Sequence, residues 1–204
     1  MSTHLEERFD SLVSEVVTTT LKPLGYRKKQ LVWTRATDAA VHRIVLQRSQ
    51  GNTANHLRFY VELSAFVPAF ARAIGHTVPA DPTKATPPYT RRFESVAHWP
   101  SQWVDLEEWE DADLNPALET ALRRVDAHLA EIVTADALAD ALRTRGPLNV
   151  DLFAWSLVTG DTAAVDGQIA AARAQFGAED RWPRLFAQFE RTAARHGVVL
   201  DAIA

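Results

Sequence analysis

Four side chains in this 204-residue chain are placed by type and spacing to bind a ligand: Arg43, Gln47, Arg58 and Tyr60. Arg43 and Gln47 are interleaved with the β-branched and apolar residues of the run 41–48. Arg58 and Tyr60 alternate with Leu57, Phe59, Val61 and Leu63. Side chains of a strand point alternately to its two faces. If the two runs are antiparallel neighbours, the four polar groups line one concave sheet face. Two guanidiniums form charge-assisted hydrogen bonds to a carboxylate or phosphate, and a phenol offers a ring for stacking. The competing reading is that long polar side chains merely cover a solvated sheet.

Other chemistry is harder to find. There is no phosphate-binding Gly-x-x-x-x-Gly-Lys-Ser/Thr, no Gly-x-Gly-x-x-Gly and no Gly-x-Ser-x-Gly elbow. Cysteine is absent, which removes disulfides, thiolate catalysis and cysteine metal sites. None of the seven histidines stands three or four residues from another, so none forms a helical metal-ligand pair, although strand histidines can converge in space. The acidic run Asp105, Glu107, Glu108, Glu110, Asp111, Asp113 reads as a solvated connection, since glycoside chemistry needs two carboxylates facing each other across a cleft. Trp103 and Trp109 flank the run and read as core anchors, the alternative being an exposed recognition platform. The expectation is no catalytic residue, no metal and no cofactor.

The elements that must position the four polar residues are legible. A capping box of Thr3 and Glu6 opens a helix to about Lys22, with Leu5, Phe9, Leu12, Val13, Val16, Val17 and Leu21 at helical spacing. Pro23 and Gly25 stop it. Strands are expected at 30–35, 41–49, 57–65, 89–96 and 102–106, the early ones joined by short turns that favour antiparallel pairing. The basic run Arg27-Lys28-Lys29 reads as a surface turn. A short helix is expected at 68–74 and a proline-rich loop at 79–88. Helices follow from Asn115-Pro116 onward, at 135–145, 150–159, 162–176 and 181–196, each stopped by glycine or capped by Asn or Asp. The fold expected is α+β: an N-terminal helix packed on an antiparallel sheet of about four or five strands, then a helical C-terminal region. The expected division is an α+β domain over 1–134 and a helical extension over 135–204 packed on it.

Composition bounds the class. Apolar residues make up 47% and charged residues 24%, as in a soluble globular protein. The charged N-terminus is no signal peptide and no apolar run reaches membrane length, so a cytoplasmic location is expected. Arginine outnumbers lysine and alanine is abundant, as in proteins of GC-rich bacteria. The net charge of −4 conceals an asymmetry: residues 1–104 carry +5 and residues 105–204 carry −9. The asymmetry reads as a β half and a helical half with differently decorated surfaces, or as a basic sheet face that attracts an anion or an acidic face that mimics one.

Leu21-Lys22-Pro23-Leu24-Gly25-Tyr26-Arg27-Lys28-Lys29, then Val32-Trp33-Thr34-Arg35, Ile44 to Ser49, and Arg58 to Leu63 together resemble the bacterial family catalogued as domain of unknown function 4304. Tyr89 to Phe93 and Gln102 to Leu106 resemble its later strands. The resemblance covers roughly residues 5–130. Tyr26 stands where that family usually has Phe, and Glu62 where it has Asn. The resemblance implies a fold and no mechanism.

Two function classes follow. The first is a non-enzymatic binding or protein-interaction domain, of an immunity or regulator type. The second is a small-ligand protein or enzyme using the polar sheet face. The partner expected is a protein or a small anionic ligand, with no membrane, and nucleic acid is disfavoured by the acidic net charge.

Overall fold

The computed structural model describes residues 3–200. In chain order come α1 (His4–Ser11), a π-helical segment (Leu12–Thr18), the closing turn α2 (Thr19–Leu21) and a 3-10 turn (Lys22–Leu24). Strands β1 (Arg27–Lys29), β2 (Val32–Ala36), β3 (Val41–Arg48) and β4 (Arg58–Phe66) follow, then α3 (Pro68–Ala73) and a 3-10 turn (Pro82–Lys84). Next are β5 (Tyr89–Arg92), α4 (Glu94–Ala97) and β6 (Val104–Asp105). The chain ends in α5 (Asp111–Glu131), α6 (Ala135–Arg143), α7 (Val150–Thr159), α8 (Thr162–Phe176) and α9 (Trp182–Arg195). It divides into two compact units: residues up to Phe66 with Pro79–Val133, and Val67–Val78 with the residues from Thr134 onward. No described helix is long and apolar enough to cross a membrane.

The first unit is an α+β layer. The capping box forms as expected, with the Glu6 N–H donating to Thr3 Oγ1 and the Thr3 N–H to Glu6 Oε2. The helix is not uniform: residues 12–18 wind as a π-helix, and Thr18 Oγ1 donates to the Val13 carbonyl five residues back. The β-branched run Val16 to Thr20 loses side-chain freedom in a regular α-helix, which fits a departure from it here. Gly25 ends the element at φ 89°, a left-handed conformation that glycine adopts without steric cost.

The sheet has six strands, all paired antiparallel, in the order β1-β2-β3-β4-β5, with β6 pairing the other end of β4. β3 and β4 are neighbours in the expected way, with Ile44 facing Leu63 and Leu46 facing Val61. These residues, Trp33 and Phe59 are buried, and Phe59 meets Phe9 edge to face at 5.3 Å. Helix α5 packs on the π segment and β4, its buried stripe running Leu114, Leu118, Leu122, Val125, Leu129.

Three local expectations are corrected. Arg27–Lys29 is an edge strand rather than a turn; all three residues are exposed, so no buried face betrays it, and the chain reverses through Gln30 at φ 56°. Residues 89–96 leave the sheet after Arg92, because Phe93 buries fully and opens the single turn α4. Helix α5 starts at Asp111, before Asn115-Pro116, and Pro116 lies inside it. Asp111 and Asp113 in its first turn favour that earlier start through the helix dipole.

The second unit is helical. Phe153, Val165, Ile169, Ala172, Phe189 and Ala193 form its core, and the rings of Phe153 and Phe189 meet at 4.7 Å. Phe70 stacks on Trp155 at 5.2 Å. Asn149 and Asp161 cap α7 and α8 as their sequence positions imply.

Candidate functional site

The register distributes the four predicted residues along one sheet face. Arg43 faces Ser64, Gln47 faces Tyr60, and Arg58 faces Asp105. Six residues of β4 separate the level of Arg43 from Arg58, about 20 Å at roughly 3.3 Å per residue. The two arginines share a face and do not converge on one ligand.

At the β6 end the side chains pack on one another. The Arg92 guanidinium lies 4.2 Å from the Tyr60 ring, Trp103 meets Tyr60 edge to face at 5.4 Å, and Arg58 lies 4.7 Å from Trp103. Arg92 Nη1 also donates to Gln102 Oε1 at 2.8 Å. Arg58 Nε is buried with no hydrogen-bond partner, so packing on Trp103 rather than ion pairing holds this side chain. Tyr60 has its ring covered and is not a free stacking platform. Trp103, read from sequence as a core anchor, is half-buried on this polar face, while Trp109 stacks on Trp99 at 5.2 Å.

At the other end a groove of about 650 Å³ runs between β1, β2, Arg43 and the 81–84 loop. Strand alternation sorts its cations. Arg27 faces Thr34 and Lys29 faces Val32, placing both on the Arg43 face, whereas Lys28 faces Trp33 and its ammonium lies 5.5 Å from that ring. Arg27, Lys29, Arg43 and Lys84 therefore surround the groove, and Asp81 is its single acidic lining residue. Asp81 is engaged locally: its Oδ1 accepts from the Thr83 N–H at 3.0 Å and the Thr83 hydroxyl at 2.6 Å, and Lys84 lies 3.9 Å from Oδ2. These hydrogen bonds hold its carboxyl below the usual carboxylate range. Arg43 Nη2 donates to the carbonyls of Thr83 and Ala85, the latter at 2.8 Å, pinning the loop over β3. Burial draws the Arg43 guanidinium below its ordinary pKa and Asp81 opposes that shift.

Charged residues on an edge strand also discourage edge-to-edge pairing of sheets. What distinguishes this end is that Arg43 and Lys84, from other elements, add their charge across the same groove. Arg27, Lys29 and Lys84 escaped the sequence reading. Period-two alternation across 27–29 is the signal that would have placed the first two together, once the segment is known to be a strand.

A second polar cluster lies on the core side of the sheet. Arg35 Nη1 is 2.6 Å from Asp126 Oδ1, the Tyr26 hydroxyl donates to the same oxygen at 3.1 Å, and the guanidinium lies over the Tyr26 ring at 4.8 Å. Arg35 Nη2 donates to His42 Nδ1 at 3.2 Å, which leaves His42 Nε2 to carry the proton and donate to the Ile132 carbonyl at 3.0 Å. Burial pushes the Tyr26 phenol well above its ordinary pKa, reinforced by Asp126, and pushes His42 below its own, reinforced by Arg35. Every member has a partner, as a structural network requires.

The family model described as Domain of unknown function (DUF4304) matches residues 17–132, which span the whole sheet and α5. No curated protein and no solved structure matches the chain.

Proposed function

We propose that this chain, which belongs to the DUF4304 family, is a non-catalytic binding domain whose β1–β3 groove takes a small phosphate-bearing anion. The single observation that supports the reading most is the gathering of Arg27, Lys29, Arg43 and Lys84 around one groove against a single, already bonded carboxylate. Opposite charge at close range favours an anion there, and Arg43 and the exposed β1 cations give it both a fixed and an adaptable contact. The lining contains no histidine, and its hydroxyl–carboxylate pair, Thr83 on Asp81, is closed into a local turn by the Thr83 N–H, which favours binding over catalysis. The Arg- and Ala-rich composition fits a bacterial source, and on this reading the protein works in the cytosol.

The test is calorimetric titration of inorganic tripolyphosphate into the full chain. Binding is expected at low salt and should weaken at least about tenfold between 50 and 300 mM NaCl, as exposed charges are screened. The Arg27→Ala, Lys29→Ala double variant, altered only at exposed positions, should weaken it comparably. Equal affinity in that variant, or no binding at millimolar probe, overturns the proposal.

A further inference from the structure

We propose that His56, Asp105 and Glu107 form a site for one divalent transition-metal ion of the zinc type, which clips the turn before β4 to the end of β6. All three belong to the first unit. The site follows from strand register. Arg58 faces Asp105, and the Leu106 N–H donates to the Leu57 carbonyl at 3.0 Å, which brings the turn after β6 alongside the turn before β4. Beyond β6 the chain turns, with the Glu108 N–H on the Asp105 carbonyl at 3.3 Å, and this turn brings Asp105 and Glu107 to the same histidine, His56.

One imidazole nitrogen and one oxygen from each carboxylate lie within 4.8 Å of one another. Around a tetrahedral ion with bonds of about 2.1 Å, ligand atoms stand roughly 3.4 Å apart. The remaining contraction is within reach of rotamer adjustment by His56 and Glu107, whose side chains are 35% and 44% exposed, toward Asp105 at 12%.

The surroundings fix the ligands. Asp105 Oδ1 accepts the Glu107 N–H at 3.0 Å, which orients Oδ2 toward His56 Nε2, 3.7 Å away. His56 sits on a locked turn: its carbonyl accepts the Thr53 N–H at 2.8 Å, and the Asn52 side chain brackets both backbone groups of Arg58. Such outer contacts are what orient metal ligands. The neighbouring cation Arg58 lies on Trp103 and makes no ion pair with Asp105 among the described residues. Two carboxylates match a divalent charge, and the imidazole selects a transition metal over calcium or magnesium, which take oxygen ligands. Three protein ligands leave a coordination position for water.

Strand β6 holds β4 by only two paired residues, so an ion joining residue 56 to residues 105 and 107 stabilises that junction directly. The sequence reading expected no metal because the histidine and its nearest carboxylate partner are 51 residues apart. His56 Nδ1 contacts Glu107 Oε2, so a simple ion pair is the competing reading.

The test is titration of Zn²⁺ into chelator-stripped, full-length protein by calorimetry and thermal melting, with Mg²⁺ and Ca²⁺ in parallel. The expected result is one Zn²⁺ per chain and a raised melting temperature, with neither effect from Mg²⁺ or Ca²⁺. His56→Ala and the conservative Glu107→Gln should each weaken Zn²⁺ at least about tenfold, as loss of a metal contact does. His76→Ala, which removes another histidine–carboxylate pair at 3.6 Å that lacks a third ligand, should leave it unchanged. The ion-pair reading stands instead if Zn²⁺ fails to bind at about 100 μM, which is weak for a built site. The same holds if Glu107→Gln binds Zn²⁺ as wild type does, or if Mg²⁺ or Ca²⁺ raises the melting temperature equally.

Discussion

The Arg35 guanidinium lies 2.6 Å from the Asp126 carboxylate, and this one contact ties strand β2 to helix α5. The pair is largely shielded, with side chains 18% and 14% exposed. Removing one partner leaves the other charge poorly solvated. Asp126→Ala should therefore cost about 2–4 kcal/mol, somewhat below the range for a fully buried pair. Tyr26→Phe removes only one hydrogen bond to the same carboxylate and should cost about 1 kcal/mol. Urea unfolding of the two variants checks the order; equal losses would mean the ion pair contributes nothing beyond a hydrogen bond.

His42 makes stability depend on pH. Burial and Arg35 hold its folded pKa below the ordinary histidine value, and burial does the same for His128. As pH falls through about 6.5 the unfolded chain takes up protons that the folded chain refuses, so stability declines. Above that value both states are neutral and the effect is absent. Unfolding free energies at pH 7.5 and 5.5 should show this decline in wild type and a shallower one in His42→Gln. Identical slopes would remove His42 from the account.

Phe59 is fully buried and packs edge to face on Phe9. Phe59→Ala should cost about 3–5 kcal/mol, the lost transfer energy plus the cavity left behind. A loss under about 1 kcal/mol in reversible denaturation would be inconsistent with that burial.

The pairing of β3 with β4 was readable from residues alone, because alternation across 57–65 reports which face is buried and a one-residue slip would invert it. So were the caps at Thr3 and Asp161, each set by a side chain and backbone within three residues. The likeness to the family was carried by the same local patterns. Tertiary structure alone decided that Arg27–Lys29 is a strand, since an exposed edge buries nothing and leaves no periodicity. It also decided that Arg43 and Arg58 stand at opposite ends of their face, that Arg43 shares a groove with Arg27, Lys29 and Lys84, and that His56 meets Glu107. Local pattern fixes which face a side chain occupies. Which distant side chains meet on that face depends on register and on how loops cross it, and those are set by packing of the whole unit.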